Sequence, residues 1–247
     1  MLSGFLRIVG ILICRKGRIM SINVAFFCTG NGSFLKFIEQ NRDTLGKFAW
    51  GGGVNLYLLC DRECGAYVDL KDKIDSIILQ YSELGGVEFE RQATCWLESK
   101  NVDYLVLTCD RILRYSLLDS YCKNKKAFNI HPALLPNYIG MRAVERSFVS
   151  DDSIYGATIH YVTKELDMGP RVARCVVERD SDNFVQYAHK LFVNQSVLLL
   201  NFLCVLVSRD QIHLLDDTFH KGFNPSLVIE KQDIVFFDSK DKEYLEI

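Results

Sequence analysis

The chain lacks any block of Lys and Arg, any low-complexity tract and any internal repeat, and its formal charge is only −2 over 247 residues. Without a basic block there is no broad electrostatic footprint for nucleic acid, and a small-molecule partner is the natural expectation. A disulfide or zinc framework is missing too. The nine cysteines, an odd number, are scattered at positions 14, 28, 60, 64, 95, 109, 122, 175 and 204, several inside apolar runs, as suits buried reduced thiols. Cys60 and Cys64 are followed by no second pair at metal spacing, so they too read as buried thiols, and no metal is expected. The opening MLSGFLRIVGILICRKGRI has no small-residue cleavage site, is interrupted by Arg7 and is too short to span a bilayer. The expected location is therefore the cytoplasm, away from membranes. Residues 1–20 read as an extension, and Met20 as an alternative start directly before the first convincing strand.

What is present is apolar sequence, 49% of residues, enough to bury one large core. A single domain is expected over residues 21–220, followed by a polar tail at 221–247 with one strand-like run, IVFF. INVAFFC (22–28) reads as a strand, TGNGS as a turn and FLKFIEQNR as a helix. Further strands are expected at 55–60 (NLYLLC), 104–109 (YLVLTC) and 127–130 (AFNI), with an amphipathic helix over 89–99. Such alternation implies βαβ units: an α/β, doubly wound, mainly parallel sheet with helices on both faces. Beyond NIHP, residues 156–163 and 171–177 read as two extra strands in the C-terminal half, joined by the turn KELDMGP. A helix over 183–206 follows, apolar nearly all round from Val197 to Val207.

Three polar segments fall where ligands bind such sheets, beyond the strand carboxyl ends. Gly30, Asn31, Gly32 and Ser33 form a turn into a helix whose unpaired N–H groups attract an anion, although a plain turn with Ser33 as helix cap explains them as well. Asn129 and His131 sit in NIHP: an imidazole can move a proton near neutral pH, and a carboxamide can hold a developing oxyanion. Gly140, further along, permits a close backbone approach. Asp167, in the turn LDMGP, reads alone as a turn residue, but paired with His131 across a cleft it can orient the imidazole and relay protons.

In this order and spacing, GNGS, NIHPALLP and GATIHYVTKELDMGP resemble the folate-dependent formyltransferase family, over about residues 21–207. The GNGS turn is most similar to the branch that formylates glycinamide ribonucleotide in purine biosynthesis. The resemblance implies that 10-formyltetrahydrofolate, the carrier of one-carbon metabolism, is co-substrate, that residues 30–33 hold the substrate phosphate, and that no metal takes part. It also implies that Asn129 and His131 stabilise the oxyanion while Asp167 assists proton transfer. Arg111, Ile112 and Leu113 match the family's RIL segment and, with Thr163, Leu166 and Asp167, are expected to line the folate pocket. His160 and Gly140 are expected to support the site, and a monomer or homodimer is expected.

Three positions depart from the family pattern. Phe34 replaces a polar residue, Asp110 a methionine, and Gln195 a helix carboxylate that contacts the substrate amine. Two rival readings follow. One is a formyltetrahydrofolate deformylase, which GATIHYVT also resembles but which carries an amino-terminal regulatory domain and lacks the GNGS turn. The other is an inactive homologue that only binds folate or a nucleotide. A methionyl-tRNA formyltransferase needs a carboxyl-terminal RNA-binding domain for which the residues after Val207 leave no room.

Overall fold

The structure, a computed structural model, describes residues 21–48 and 53–207. Its centre is a seven-stranded sheet in the order β3-β2-β1-β4-β5-β6-β7. The strands are β1 (Ile22–Cys28), β2 (Val54–Cys60), β3 (Asp75–Ile78), β4 (Tyr104–Thr108), β5 (Ala127–His131), β6 (Ile154–Tyr161) and β7 (Arg171–Glu178). β1 to β5 run parallel, whereas β6 pairs antiparallel with β5 and β7 antiparallel with β6. The chain leaves β1 toward β2 and β3, then crosses back to place β4 on the other side of β1. A crevice therefore opens beyond the carboxyl ends of β1 and β4.

Alternation along each strand sends side chains to two separate cores. Val24, Phe26, Leu58, Val106, Phe128 and Ile130 join one, while Ala25, Phe27, Leu59, Leu105, Leu107 and Ala127 join the other. The first core is covered by α1 (Ser33–Gln40), α2 (Arg42–Phe48), α3 (Gly65–Leu70), α5 (Ala143–Phe148) and α6 (Phe184–Val207). The second is covered by α4 (Tyr81–Ser99) and a π-helical turn, Leu118–Cys122. Phe26, Phe27, Phe89 and Phe128 are fully buried, each contributing roughly 1.5–3 kcal/mol over its exposed state. The long apolar α6 is a core helix, with Leu198, Leu199, Leu200, Phe202 and Leu203 buried.

Several elements depart from the sequence expectation. β3 was not foreseen: it is a four-residue edge strand with no fully buried position, too short for alternation to show. α4 starts eight residues before the expected helix and breaks its helical geometry at Gly85, φ 67° and ψ 170°, which dilutes its periodicity. Ser33 is not a cap; Gly32, with left-handed φ 65° and ψ 30°, holds that position, and Ser33 is the first helical residue. Of the cysteines, Cys28, Cys60, Cys122 and Cys204 are buried, but Cys95 is exposed on α4, contrary to the buried-thiol reading. Cys14 and IVFF lie outside the described residues.

Candidate active site

β5 carries the centre of the site. Period-two alternation puts Asn129 and His131 on one face, and the antiparallel register sets Asn129 opposite His160 of β6. Asp167 arrives from the β6–β7 turn, its backbone in the left-handed region at φ 53°, a conformation aspartate tolerates better than most residues. Gly169 makes this turn possible: a Cβ there would lie 1.8 Å from the Tyr161 carbonyl oxygen.

The four polar side chains meet at the floor of a cleft of about 670 Å³. The Asn129 amide Nδ2 is 3.2 Å from His160 Nε2 and 3.5 Å from Asp167 Oδ1. His131 Nδ1 is 3.4 Å from Asp167 Oδ2, which also accepts the Gly140 N–H at 2.8 Å. His131 Nε2 is 3.0 Å from the Tyr138 carbonyl and His160 Nδ1 is 2.9 Å from the Tyr161 carbonyl. A carbonyl only accepts, so each of these nitrogens carries the hydrogen, which assigns the tautomers. His160 Nε2 is thereby left to accept from Asn129, and His131 Nδ1 presents a lone pair toward Asp167.

Burial pushes the His131 imidazole below its ordinary range, against the pull of the Asp167 charge and the Tyr138 carbonyl. Burial also works to raise Asp167, but the His160 contact, the Gly140 N–H and the His131 charge outweigh it and hold the carboxyl low. Near neutral pH the pair is thus a neutral imidazole beside a carboxylate. Two acceptors face each other, and a proton delivered to Nδ1 turns that contact into a charge-assisted hydrogen bond. Burial pushes the nearby Cys28 and Cys109 thiols up to about 12, which disfavours the nucleophilic thiolate.

The cleft has two unlike sides. One, over the α4 core, is lined by Leu107, Ile112, Leu113, Val162 and the 163–167 segment. Ile112 and Leu166 are exposed around it, an apolar rim suited to a flat heterocycle. Arg111 stands there with its Nε 2.7 Å from Asp61 Oδ2 and its guanidinium 4.0 Å over the Tyr81 ring. Asp61 is itself buried, and Arg62 Nε lies 3.1 Å from its Oδ1 as an ion pair without hydrogen-bond geometry. Asp61 and Tyr81 were not singled out in the sequence; a buried carboxylate at a strand end, facing an arginine from another loop, shows only in the fold.

The other side is built from residues 30–33, the start of α5 and the α6 residues Ala188, Leu191, Phe192 and Gln195. Phe34 stacks near Phe192 with ring centroids 5.1 Å apart. Gln195, 6% exposed, brings a neutral carboxamide to this wall. Asp110, at the loop after β4, lies 3.4 Å from Arg62 and ties the β2 and β4 loops together. The structure thus brings every expected site residue to one cleft. His160 contacts Asn129 and Asp167 directly rather than from behind them.

Comparison with known proteins accords with this geometry. The pattern of the "Formyl transferase" family matches residues 22–194. The phosphoribosylglycinamide formyltransferase of Bacillus subtilis is 30% identical over 175 residues, covering 68% of this chain and 87% of that protein. A mitochondrial formyltetrahydrofolate deformylase of Arabidopsis thaliana is 38% identical over 94 residues, 37% of this chain and 28% of that protein. The crystal structure of the Bacillus halodurans phosphoribosylglycinamide formyltransferase superposes with a TM-score of 0.69 at 26% identity, covering 77% of this chain and 98% of that one.

Proposed function

The chain belongs to the formyl transferase family, and from that premise we propose that it moves a formyl group from 10-formyltetrahydrofolate to the primary amine of glycinamide ribonucleotide. The observation that carries this reading is the Asn129, His131, His160 and Asp167 cluster at the floor of a cleft with one apolar and one anion-attracting side.

The folate fits the apolar side, where Ile112, Leu113 and the 163–167 segment would hold its flat ring beside the Asp61-paired Arg111. Bound there, it supplies the electrophilic formyl carbon. Residues 30–33 would hold the acceptor phosphate on the backbone N–H groups at the start of α1, where the helix dipole adds to the attraction.

Asn129 is the electrostatic element. Its contact to Asp167 at 3.5 Å is long enough to be weak, so the amide hydrogen can turn to a formyl oxygen gaining negative charge at small cost. His131 takes the amine proton: as the amine nitrogen bonds to the formyl carbon the neutral Nδ1 accepts its proton, and the resulting imidazolium is held by the Tyr138 carbonyl on one side and Asp167 on the other. When the bond from that carbon to the folate nitrogen breaks and the carbonyl re-forms, the proton passes to the departing nitrogen. The Gly140 N–H keeps the Asp167 carboxylate aimed at that nitrogen.

The deformylase reading differs by one reactant, water in place of the amine. Absorbance-monitored formyl loss from a 10-formyl folate analogue separates the two. The transferase turns over only with glycinamide ribonucleotide present; equal loss in its absence overturns this assignment in favour of the hydrolase.

A further inference from the structure

Three cationic side chains line the cleft: Arg111, Arg142 and Lys164. Arg111 is committed to Asp61 and Tyr81. Lys164, 77% exposed, stands 3.5 Å from Glu165. The Arg142 guanidinium has neither a hydrogen bond nor an ion pair among the described residues.

The side chain is exposed, and its backbone is set by the start of α5. Arg142 precedes α5 with φ 56° and ψ 35°. α5 is packed on α6 through Phe148 and Tyr187, ring centroids 5.2 Å apart, and through a 2.7 Å hydrogen bond between Ser147 and Tyr187. α1 reaches the same stretch of α6 through Phe34 and Phe192. Arg142 and residues 30–33 therefore flank one short segment of α6. That segment offers only Ala188, Leu191, Phe192 and Gln195 to the cleft, all neutral.

We propose that Arg142 is the side chain that binds the acceptor's anionic group, a phosphate monoester seated against residues 30–33; the inference rests on the formyl-transfer reading above. A backbone cradle supplies partial charge only, and a dianion drawn from water needs a full counter-charge to offset its desolvation. No other unengaged cation is available on this side among the described residues. A planar guanidinium also presents paired N–H donors that match phosphate oxygens.

The left-handed backbone of Arg142 makes the test clean. Glycine accepts φ 56° without strain, so Arg142→Gly keeps a thermal midpoint at or above that of the parent while losing the guanidinium. Steady-state kinetics of Arg142→Gly, Arg142→Gln and Arg142→Lys are compared with the parent. The expected result is an acceptor KM raised about 10- to 100-fold in the first two, the scale of a lost charge-assisted hydrogen bond. The kcat and the folate KM stay within a few-fold, and Arg142→Lys recovers part of the affinity. Inorganic phosphate competes with the acceptor in the parent and loses potency in Arg142→Gln. A rise in folate KM instead would assign Arg142 to a folate carboxylate and overturn the proposal, as would no change in either KM. If the parent does not formylate glycinamide ribonucleotide, the functional reading fails separately. Calorimetric titration with inorganic phosphate then decides: binding lost in Arg142→Gln supports the arginine's role, and equal or absent binding in the parent overturns it.

Discussion

At the scale of single residues, the proposed reaction depends on two neighbouring groups held in the states that proton transfer would need. His131 is buried and neutral, and Asp167 beside it stays ionised. Truncating His131 to alanine is expected to lower turnover by roughly 10²- to 10⁴-fold, while fluorescence titration still detects folate binding. A variant that lost folate affinity but kept its turnover would remove His131 from the chemistry. The same depressed imidazole shapes stability. In the unfolded chain the histidine protonates as pH falls through its ordinary value of 6.5, before the folded one does. The unfolded state then binds the extra proton, and stability declines from there downward. Asp167 acts in the same direction at more acid pH: its contribution is complete above the ordinary 3.8 and is lost as pH falls through its lower folded value. The thermal midpoint should accordingly drop between about pH 7 and pH 5, less steeply in His131→Gln. An unchanged slope in that variant would contradict the buried neutral assignment.

At the scale of elements, the loop on the apolar side of the cleft, where folate is proposed to bind, is fastened from below by α4. Glu90, 3% exposed, accepts the backbone N–H groups of Arg114, Tyr115 and Leu117 at 2.7, 2.8 and 3.1 Å. Glu90→Ala leaves three backbone donors without their acceptor, that of Leu117 buried, and should cost about 2 kcal/mol or more in denaturant unfolding. It should also raise the folate KM, because Arg111 to Leu113 lie directly before the loosened turn. Full stability in this variant would show that the turn is held by something else. The β6–β7 turn has a different dependence. At Gly169 an added methyl meets backbone, the Tyr161 carbonyl at 1.8 Å, which no rotamer change can relieve. Gly169→Ala should therefore lose about 3 kcal/mol or more together with the placement of Asp167, whereas at Gly30 nothing stands within 4 Å of an added Cβ. An alanine at Gly30 that is no more stable than one at Gly169 would contradict this contrast.

At the scale of the whole molecule, two cores on opposite sheet faces meet over one crevice, and in the proposed reaction the two substrates would approach from different sides and share only its floor. Binding on either side should stabilise the fold by mass action, by about 2.7 kcal/mol at a hundredfold excess over Kd. A folate analogue and the acceptor should each raise the thermal midpoint, and together they should raise it further. Mutual exclusion of the two would refute separate subsites.

Much of this was legible in the sequence. Ile22–Cys28 was read with its observed limits, because a strand buried on both faces is a continuous apolar run between clear turn residues. NIHP and LDMGP named the three central side chains, since those residue types in that order already form a recognisable chemical set. The helix over 183–206 was found within a residue at each end, its apolar surface announcing a core position. What the linear order could not carry was proximity. The antiparallel register that sets His160 against Asn129, the buried Asp61 that captures Arg111 and the Glu90 carboxylate under the 114–117 turn each join residues at least 24 apart. The short β3 and the broken α4 escaped for a related reason: a four-residue edge and a helix interrupted at Gly85 show too little periodicity to be read locally. Side-chain chemistry and local pattern are properties of a segment, and so the sequence alone determined most of the strands, the family and the side chains that gather in the candidate site. Which charges are neutralised and which is left open for a substrate depends on contacts across the sheet, and only the tertiary structure decided that Arg111 is engaged while Arg142 is free among the described residues.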